Sequence, residues 1–242
     1  MGKQVVLIVG ASSTIGRQLI RDLPQENTIV LAHFCNNEEA LESLKQEVEL
    51  DMLNVQADLS TKAGVNELVL TIDELNVLPT KIVFLAAPKL KLIRFKNLTW
   101  QDFQRQSEMQ VYVAYRILNA YLPKLAKLKE GRVVFMLSSA TSGVPPMAMA
   151  HYVTAKYALL GLMKSLSSEY SSKGITVNAV SPSMIETEFL SQIPQQLVEI
   201  TADKHPLGRN GLPADVVPAI CFLLSQQASF ITGVNLPITG GA

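Results

Sequence analysis

The sequence has few of the residues that metal clusters and disulfide frameworks require. Its 242 residues include two cysteines, Cys35 and Cys221. Two isolated thiols provide neither a metal-binding cluster nor a disulfide framework. We therefore predict no metal site, and we expect both thiols to be partly buried.

An excess of charge of one sign is also lacking. Lys and Arg total 21, and Asp and Glu also total 21, so the formal net charge is zero. A nucleic-acid-binding surface would normally show a basic excess. No apolar run reaches the roughly 18 residues of a membrane span, and the N-terminus enters a short apolar stretch without a cleavable signal. We expect a cytoplasmic protein without nucleic-acid or membrane partners.

The chain instead shows short apolar runs alternating with longer amphipathic stretches. This alternation predicts an α/β fold, a single doubly wound (Rossmann-type) domain over residues 1–242 with helices on both faces of a parallel sheet. About seven buried strands are predicted at residues 5–9, 29–32, 53–56, 82–87, 133–137, 177–180 and 234–238. Helices are predicted at residues 15–23, 38–48, 62–75, 99–128, 152–172 and 214–225.

Residues 184–205 fit this alternation least well. Irregular segments at the surface often carry function on a rigid scaffold. We therefore predict that this segment is a mobile flap over a substrate site.

A glycine-containing loop follows the first predicted strand, in the run Gly10-Ala11-Ser12-Ser13-Thr14-Ile15-Gly16. A doubly wound sheet binds a dinucleotide at this place, with the pyrophosphate at the helix N-terminus. Thr14 occupies the intermediate glycine position. Its side chain narrows the approach, although its hydroxyl can itself bond a phosphate oxygen. By itself the loop is also consistent with an ordinary strand-to-helix turn.

A tyrosine, a lysine and a serine are spaced as a proton-transfer site would need. Tyr152 and Lys156 are four residues apart in a predicted helix, so they share one face about 6 Å apart. An ammonium beside a phenol favours the phenolate, which predicts a lowered pKa for Tyr152. Ser139 precedes Tyr152 by thirteen residues, and its hydroxyl would hold a substrate oxygen. An ordinary amphipathic helix would also explain the spacing of Tyr152 and Lys156.

Together these motifs resemble the short-chain dehydrogenase/reductase family over essentially the whole chain. The resemblance implies hydride transfer between a nicotinamide ring and a carbonyl carbon. Tyr152 would protonate the forming alkoxide and Ser139 would bond the same oxygen. Lys156 would lower the pKa of Tyr152 and hold the nicotinamide ribose.

The resemblance also implies a set of cofactor contacts. Asp58 matches the adenine-binding acid, and the run Pro182-Ser183-Met184-Ile185-Glu186-Thr187 looks like the segment that holds the nicotinamide amide. The residues implied to bind the dinucleotide are Gly10, Ser12, Ser13, Thr14, Ile15, Gly16, His33, Asn36, Asp58, Leu59, Ala86, Ala87, Tyr152, Lys156, Pro182, Ile185 and Thr187.

Several positions depart from the family pattern. Leu85-Ala86-Ala87-Pro88 stands where the family has Asn-Asn-Ala-Gly, and Ser183 and Thr14 replace family glycines. The family's catalytic Asn, which holds a water in the proton relay, has no counterpart. Counting along the chain places either Gln110 or Ser107 there, and Gln110 would anchor a water through its amide.

The end of the second strand bears on the choice between NADP and NAD. NAD-binding family members place an acid there, which holds the ribose hydroxyls and repels the extra phosphate of NADP. The run His33-Phe34-Cys35-Asn36-Asn37 contains no acid, which favours NADP, with NAD as the alternative. Ser13 replaces the glycine-loop arginine of many NADP-binding members. His33 is as consistent with a plain strand-end residue as with a phosphate contact.

The nearest subgroup is the 3-oxoacyl-acyl-carrier-protein reductases, with related ketoreductases of fatty-acid and polyketide pathways. Lys129 and Lys173 match the two basic positions that meet the carrier protein in that subgroup. Exposed lysines at helix C-termini are, however, favourable in any protein. The resemblance further implies a homodimer or homotetramer, built by the predicted helices 99–128 and 152–172.

Three functions therefore stay open. The first is an NADP-dependent ketoreductase that acts on a 3-oxoacyl thioester. The second is a reductase or dehydrogenase of another small ketone or alcohol, which would use the same catalytic residues. The third is a non-catalytic binding or assembly subunit, and the altered positions around the site would explain it.

Overall fold

Seven parallel strands form the centre of the computed structural model, which describes residues 3–242. The strands are β1 (Gln4–Val9), β2 (Thr28–Phe34), β3 (Asp51–Gln56), β4 (Lys81–Phe84), β5 (Gly131–Met136), β6 (Ile175–Pro182) and β7 (Asn235–Ile238). They pair in the order β3-β2-β1-β4-β5-β6-β7, and each pairing is parallel. The predicted sheet is confirmed.

Helices cover both faces of this sheet, as predicted. They are α1 (Thr14–Asp22), α2 (Glu39–Lys45), α3 (Lys62–Glu74), α4 (Trp100–Ser107), α5 (Val113–Leu128), α6 (Ala150–Tyr170), α7 (Gln195–Lys204) and α8 (Pro213–Leu224). None of the helices within residues 3–242 is long and apolar enough to cross a membrane.

Two hydrophobic clusters join the helices to the sheet. Leu7 packs with α3, α5 and α6 on one face, and Ile8 packs with α1, α2 and α8 on the other. Neighbouring side chains of a strand point to opposite faces, and both of these are fully buried. This two-sided burial explains why β1 reads as a continuous apolar run. Truncating either side chain to alanine would cost about 2–5 kcal/mol.

The loop after β4 begins earlier than the sequence predicts. The strand predicted at residues 82–87 ends at Phe84. Both Leu85 N and Ala86 N donate to the Val9 carbonyl oxygen, each at 2.9 Å. This turn places Ala86 in a loop beside the end of β1 rather than in the sheet.

The long helix predicted at residues 99–128 is interrupted. A π-helical turn at Glu108–Tyr112 separates α4 from α5. Such turns occur often at functional sites. The turn carries Gln110, which is buried. A helical pattern of apolar residues cannot reveal one turn of wider pitch, so the sequence alone missed it.

The segment predicted to be an irregular flap contains regular structure. Glu188–Leu190 forms a 3₁₀ turn, and α7 occupies Gln195–Lys204. α7 has no buried residue, and the amphipathic signal that predicts a helix is therefore weak here.

The carboxyl ends of the strands gather at one edge of the sheet. β2 lies on one side of β1 and β4 lies on the other. Successive strands are therefore added in one direction across the sheet up to β3 and in the opposite direction from β4 onward. Ligands of doubly wound sheets bind outside the strand ends at such a switch point.

Candidate active site

The glycine loop is shaped by close approach of two backbones. Gly10 has a φ of +95°, and a Cβ there would lie 2.9 Å from Ala86 N. At Gly16, a Cβ would lie 2.5 Å from the Ala11 carbonyl oxygen. Both positions therefore require glycine. The loop lies at the switch point between β1 and β4.

The N-terminus of α1 fits a dinucleotide pyrophosphate. Ser13 caps the helix, since its Oγ accepts from Gly16 N at 3.1 Å and donates to Gly10 O at 2.7 Å. Thr14 and Ile15 occupy the first helical positions, where backbone N–H groups have no intrahelical partner. Such groups at the positive end of a helix dipole bind phosphate oxygens. Ser13 is committed to the cap rather than to a phosphate.

His33 has a structural role at the end of β2. Its Nδ1 accepts from Gly10 N at 3.0 Å, and its Nε2 donates to Ala57 O at 3.1 Å. Burial lowers the pKa of His33 to about 4, although the hydrogen bond to Ala57 opposes the shift. The ring is therefore neutral at pH 7. The phosphate contact considered for His33 is corrected, because both ring nitrogens bind the protein's own backbone.

The remaining adenosine-side residues lie close to His33. Asn36 follows β2, and Asp58 and Leu59 follow β3. The Asp58 carboxylate accepts from Ser60 N at 2.9 Å, and hydrogen bonds from the side chain and backbone of Ser60 hold its pKa below the usual value. Asp58 is exposed whereas Leu59 is buried. Asp58 is therefore ionised and accessible to a ligand.

The nicotinamide-side segment leaves the end of β6. Pro182 is the last residue of the strand, and Ser183 N donates to Ile238 O at 3.1 Å. Ile185 is buried and pairs in parallel with Gly211. Thr187 begins the 3₁₀ turn of the flap as its N-cap residue. These contacts place the three implied cofactor residues at the same edge of the sheet as the glycine loop.

Tyr152 lies in the first turn of α6 and is covered by the flap. Its ring packs against Phe189, with ring centroids 6.0 Å apart, and Leu190 and Ile193 belong to the same apolar cluster. Burial raises the pKa of Tyr152 to about 12. The prediction of a lowered pKa is wrong for this state of the protein, because the flap removes water from around the phenol.

Lys156 lies over the ring of Tyr152 and bonds a backbone carbonyl. Its Nζ donates to Met136 O at 2.8 Å and lies 5.4 Å from the centroid of the Tyr152 ring. Burial lowers the pKa of Lys156 to about 7. The two side chains share one face of α6, as the spacing predicts. The ammonium contacts the ring and the end of β5.

Ser138 influences the pKa of Tyr152. Its side chain acts to lower that pKa, against the larger effect of burial. The Ser138 Oγ also accepts from Ala140 N at 3.2 Å, so its own hydrogen is available for donation. Ser139, which the thirteen-residue spacing singled out, begins a 3₁₀ turn. A spacing count cannot decide which of two adjacent serines faces the site.

Gln110 has an unsatisfied buried oxygen. Its Nε2 donates to Gln106 Oε1 at 2.6 Å, and its Oε1 has no hydrogen-bond partner. A buried polar atom left without a partner costs about 1–3 kcal/mol. Ser107, the other candidate for the relay position, donates its Oγ to Phe103 O at 3.2 Å. Gln110 is therefore the better placed of the two to hold a water.

Lys129 and Lys173 lie at the amino ends of the strands, opposite the end that carries the glycine loop. Lys129 ends α5 before β5, and Lys173 lies in a 3₁₀ turn before β6. A Cβ at Gly174 would lie 2.2 Å from Lys129 O, so their two loops touch. β5 contains six residues, or about 20 Å of strand. Within one chain this length separates the lysines from Ser138.

Within residues 3–242, no group of three or more His, Cys, Asp or Glu side chains is placed to hold a metal ion. Cys35 and Cys221 are free and partly buried, as predicted. Burial raises the pKa of the Cys221 thiol to about 11. Both thiols are therefore largely protonated at pH 7, since burial also raises the pKa of Cys35.

Comparisons with known proteins agree with this geometry. The family described as Enoyl-(Acyl carrier protein) reductase matches residues 10–242. The 3-oxoacyl-[acyl-carrier-protein] reductase of Rickettsia bellii is 31% identical over 239 residues, covering 98% of this chain and 96% of that protein. The Staphylococcus aureus reductase of the same name is 29% identical over 242 residues, covering 97% and 96%. The crystal structure of levodione reductase gives a TM-score of 0.89 at 25% identity, covering 100% and 98%.

The family match extends over nearly the whole chain, and it includes both the glycine loop and the Tyr152 region. The sheet order and the position of the site at the strand ends agree with it. The chain therefore belongs to the short-chain dehydrogenase/reductase family of oxidoreductases.

Proposed function

We propose that this oxidoreductase is an NADP-dependent ketoreductase that reduces a 3-oxoacyl thioester to the 3-hydroxy form. The observation that carries the proposal is the meeting of Tyr152, Lys156 and a serine hydroxyl beside the dinucleotide loop. The two curated relatives are named for reduction of a carrier-linked 3-oxoacyl substrate. Their names favour this substrate class over other carbonyl compounds.

Tyr152 would donate the proton to the substrate oxygen. Its raised pKa keeps the phenol protonated at pH 7, as a proton donor requires. A serine hydroxyl would bond the same oxygen and stabilise the negative charge that develops there. NADPH supplies the hydride when it is bound. Lys156 would hold the nicotinamide ribose, and its ammonium near the phenol would ease proton loss from Tyr152.

The substrate-binding serine is either Ser138 or Ser139. The effect of Ser138 on the pKa of Tyr152 favours Ser138, whereas the spacing favours Ser139. We expect Ser138→Ala to lower kcat/KM by about 100-fold, as loss of an oxyanion donor does. If Ser138 is the substrate-binding serine, Ser139→Ala should change it by less than about threefold. The reverse ranking in steady-state kinetics would restore the assignment to Ser139.

Gln110 would complete the proton path to Tyr152. A water that donates to the unsatisfied Gln110 Oε1 would take the place of the water held by the family's Asn. Gln110→Leu keeps the size of the side chain but removes the amide. It should slow a step that shows a solvent isotope effect, and an unchanged rate would leave Gln110 without a role in the relay.

The cofactor proposal rests on the end of β2. Cys35, Asn36 and Asn37 bring no carboxylate to this position, so none of these three residues repels a 2′-phosphate. Asn37 Oδ1 accepts from Ala40 N at 3.3 Å, whereas Asn36 Oδ1 accepts from Cys35 Sγ at 3.5 Å and its amide nitrogen has no hydrogen bond among the described residues. Titration with NADPH and NADH, followed by fluorescence, should give the lower Kd for NADPH. A lower Kd for NADH would reverse the assignment.

The central test is oxidation of NADPH in the presence of a 3-oxoacyl thioester. Tyr152→Phe removes only the phenolic oxygen, and it should abolish turnover while leaving the Kd of NADPH within about twofold. Turnover of other ketones but not of the thioester would support the second function. NADPH binding without turnover of a broad carbonyl panel would support the non-catalytic alternative. Failure to bind either dinucleotide would exclude both enzyme functions.

We further propose that Lys129 and Lys173 meet an acidic carrier protein. Because they lie about one strand length from Ser138, the carrier's substrate arm would have to cross that distance or enter another copy's site. Lys129→Glu with Lys173→Glu should raise KM for the carrier-linked substrate only. A simple soluble thioester should be reduced as before. An equal effect on both substrates would remove the carrier-docking role.

We also propose a homodimer or homotetramer in the cytoplasm. Exposed aromatic side chains on α5 and α6, Tyr115 and Tyr157, offer apolar area for helix pairing between copies. Light scattering after size exclusion should give a mass near two or four times 26.5 kDa. A clean monomer would contradict the proposal.

A further inference from the structure

A separate polar pocket lies beside the site and is not used by the roles assigned above. Its volume is about 200 Å³. Its walls come from the loop after β4, from α4, from the first turn of α6 and from the flap. A buried water needs about 10–15 Å³ measured in this way, so the pocket has room for a carboxylate or phosphate group.

The charged side chains that line the pocket are mostly cations. Lys89, Lys91 and Arg105 bring three positive charges, and Asp102 brings one negative charge. None of the three cations takes part in an ion pair found among residues 3–242. The pocket therefore has a positive balance that no acid of the described chain neutralises by direct contact.

Asp102 offsets only part of this balance, and hydrogen bonds hold its carboxylate in place. It belongs to the capping box of α4 and accepts from Thr99 N at 3.3 Å and from Thr99 Oγ1 at 2.5 Å. These hydrogen bonds, with smaller contributions from Lys91 and His151, hold the pKa of Asp102 below the usual value. Asp102 is thus fixed at the helix end and offsets one of the three cations at most.

His151 is the second, independent observation. It lines the pocket although it is only 2% exposed, and its Nδ1 has no hydrogen-bond partner. An unsatisfied buried polar atom costs about 1–3 kcal/mol. A small reorientation of the ring would allow it to donate to an anion in the pocket, which would satisfy the nitrogen. This buried nitrogen without a partner distinguishes the pocket from a surface patch that contains lysines alone.

The position of His151 relates the pocket to the reaction. His151 and Tyr152 are consecutive residues of α6, so their Cα atoms are about 3.8 Å apart. Gln192 of the flap also lines the pocket, and the same flap covers Tyr152. The pocket and Tyr152 are therefore bordered by the same flap and the same helix turn.

We propose that this pocket binds an anionic group, a carboxylate or a phosphate, carried by the carbonyl substrate. This inference rests on the proposed reductase function and adds a charge requirement to its substrate. The anion has two sources: the carboxylate of a short oxo acid, or the phosphate of the pantetheine arm in a carrier-linked thioester.

Matched substrate pairs distinguish the two sources. One pair is a short 3-oxo acid and its methyl ester, and the other is a 3-oxoacyl thioester of pantetheine with and without its 4′-phosphate. NADPH oxidation is measured for all four. Within the pair that contains the true source, the charged member should show a KM about tenfold lower. Equal KM values within both pairs would overturn the proposal.

Variants of the lining residues test whether the difference in KM arises in the pocket. The double change Lys89→Gln and Lys91→Gln should raise KM for the preferred anionic substrate about tenfold and leave its neutral partner within about twofold. Lys96→Gln, an exposed lysine of the same connection that does not line the pocket, should change neither. Arg105 is left intact because it also faces Asp58. His151→Asn provides a second variant and should affect the same substrate selectively.

A binding measurement separates this proposal from the proposed function. Inorganic phosphate should raise the unfolding temperature of the NADPH-saturated wild type, and the Lys89/Lys91 double variant should lose that rise while Lys96→Gln retains it. The same rise in the double variant would show that phosphate binds elsewhere, and this would contradict the proposal that the pocket binds an anion. If the wild type reduces no carbonyl compound, the reductase function fails, but the phosphate titration, repeated without cofactor, still decides whether the pocket binds anions.

Discussion

The cofactor half and the substrate half of the site are stabilised in different ways. In the cofactor half, backbone groups meet backbone or buried polar partners, as at Gly10 with Ala86 and His33. In the substrate half, apolar side chains of the flap cover Tyr152, while Gln110 and His151 retain atoms without partners. These contacts within the chain fix the shape of the first half without a ligand. The second half is closed but unsatisfied, which is expected where a substrate has yet to supply contacts.

The largest difference between the halves should appear at Gly10. Gly10→Ala puts a Cβ 2.9 Å from a backbone nitrogen at a φ of +95°. Strain and overpacking each cost about 1–3 kcal/mol, so the free energy of unfolding should fall by about 4 kcal/mol and dinucleotide binding should be lost. Urea denaturation measures the first effect and NADPH titration the second.

Gly143 provides the control for that change. Its φ is +85°, but nothing lies within 4 Å of the place a Cβ would take. Gly143→Ala should therefore cost only the backbone strain, about 1–2 kcal/mol. Equal losses for the two variants would show that the contact with Ala86 does not determine the shape of the glycine loop.

A smaller effect is expected from protonation of His33. Its pKa is about 4 in the folded protein and 6.5 in the unfolded chain, so the unfolded chain binds more protons between these pH values. Stability is therefore complete above pH 6.5 and falls as the pH drops toward 4, by up to about 3 kcal/mol. Protonation would also put a hydrogen on His33 Nδ1, which could then no longer accept the hydrogen bond from Gly10 N.

His33→Gln separates this contribution from the titration of carboxylates. The variant should show a shallower fall in the free energy of unfolding between pH 6.5 and 4, measured by urea denaturation at each pH. An identical slope in both proteins would mean that His33 is not the group being protonated.

The smallest effect should come from the flap. Phe189→Ala removes a half-buried ring and should cost about 2 kcal/mol, while Phe95→Ala, 76% exposed, should stay within about 0.5 kcal/mol. Opening the flap should also bring the pKa of Tyr152 down from about 12 toward 10. Absorbance titration against a Tyr152→Phe background measures that shift, and an unchanged pKa would show that Phe189 is not the cover.

The halves differ likewise in how well the sequence predicts them. The strand positions, the positions of most helices and the glycine loop follow from hydrophobic period and from glycine, which act locally. The pKa of Tyr152 does not, because it depends on Phe189, which is distant in sequence. The choice between Ser138 and Ser139 depends on the path of a loop, and the position of Gln110 depends on a single π turn. The wrong pKa prediction and these two open assignments all depend on side-chain burial or local backbone geometry that a linear pattern does not encode.

The histidine at the end of β2 has a consequence for changing cofactor preference. His33 joins the strand to both neighbouring connections through Gly10 and Ala57, so its replacement would disturb three segments together. Cys35, Asn36 and Asn37 lie beyond this junction. To exchange one dinucleotide for the other, these three residues can therefore be replaced while His33 and its hydrogen bonds are left unchanged. An acid or an arginine introduced there would alter recognition of the adenosine ribose while the framework that holds the pyrophosphate keeps its shape.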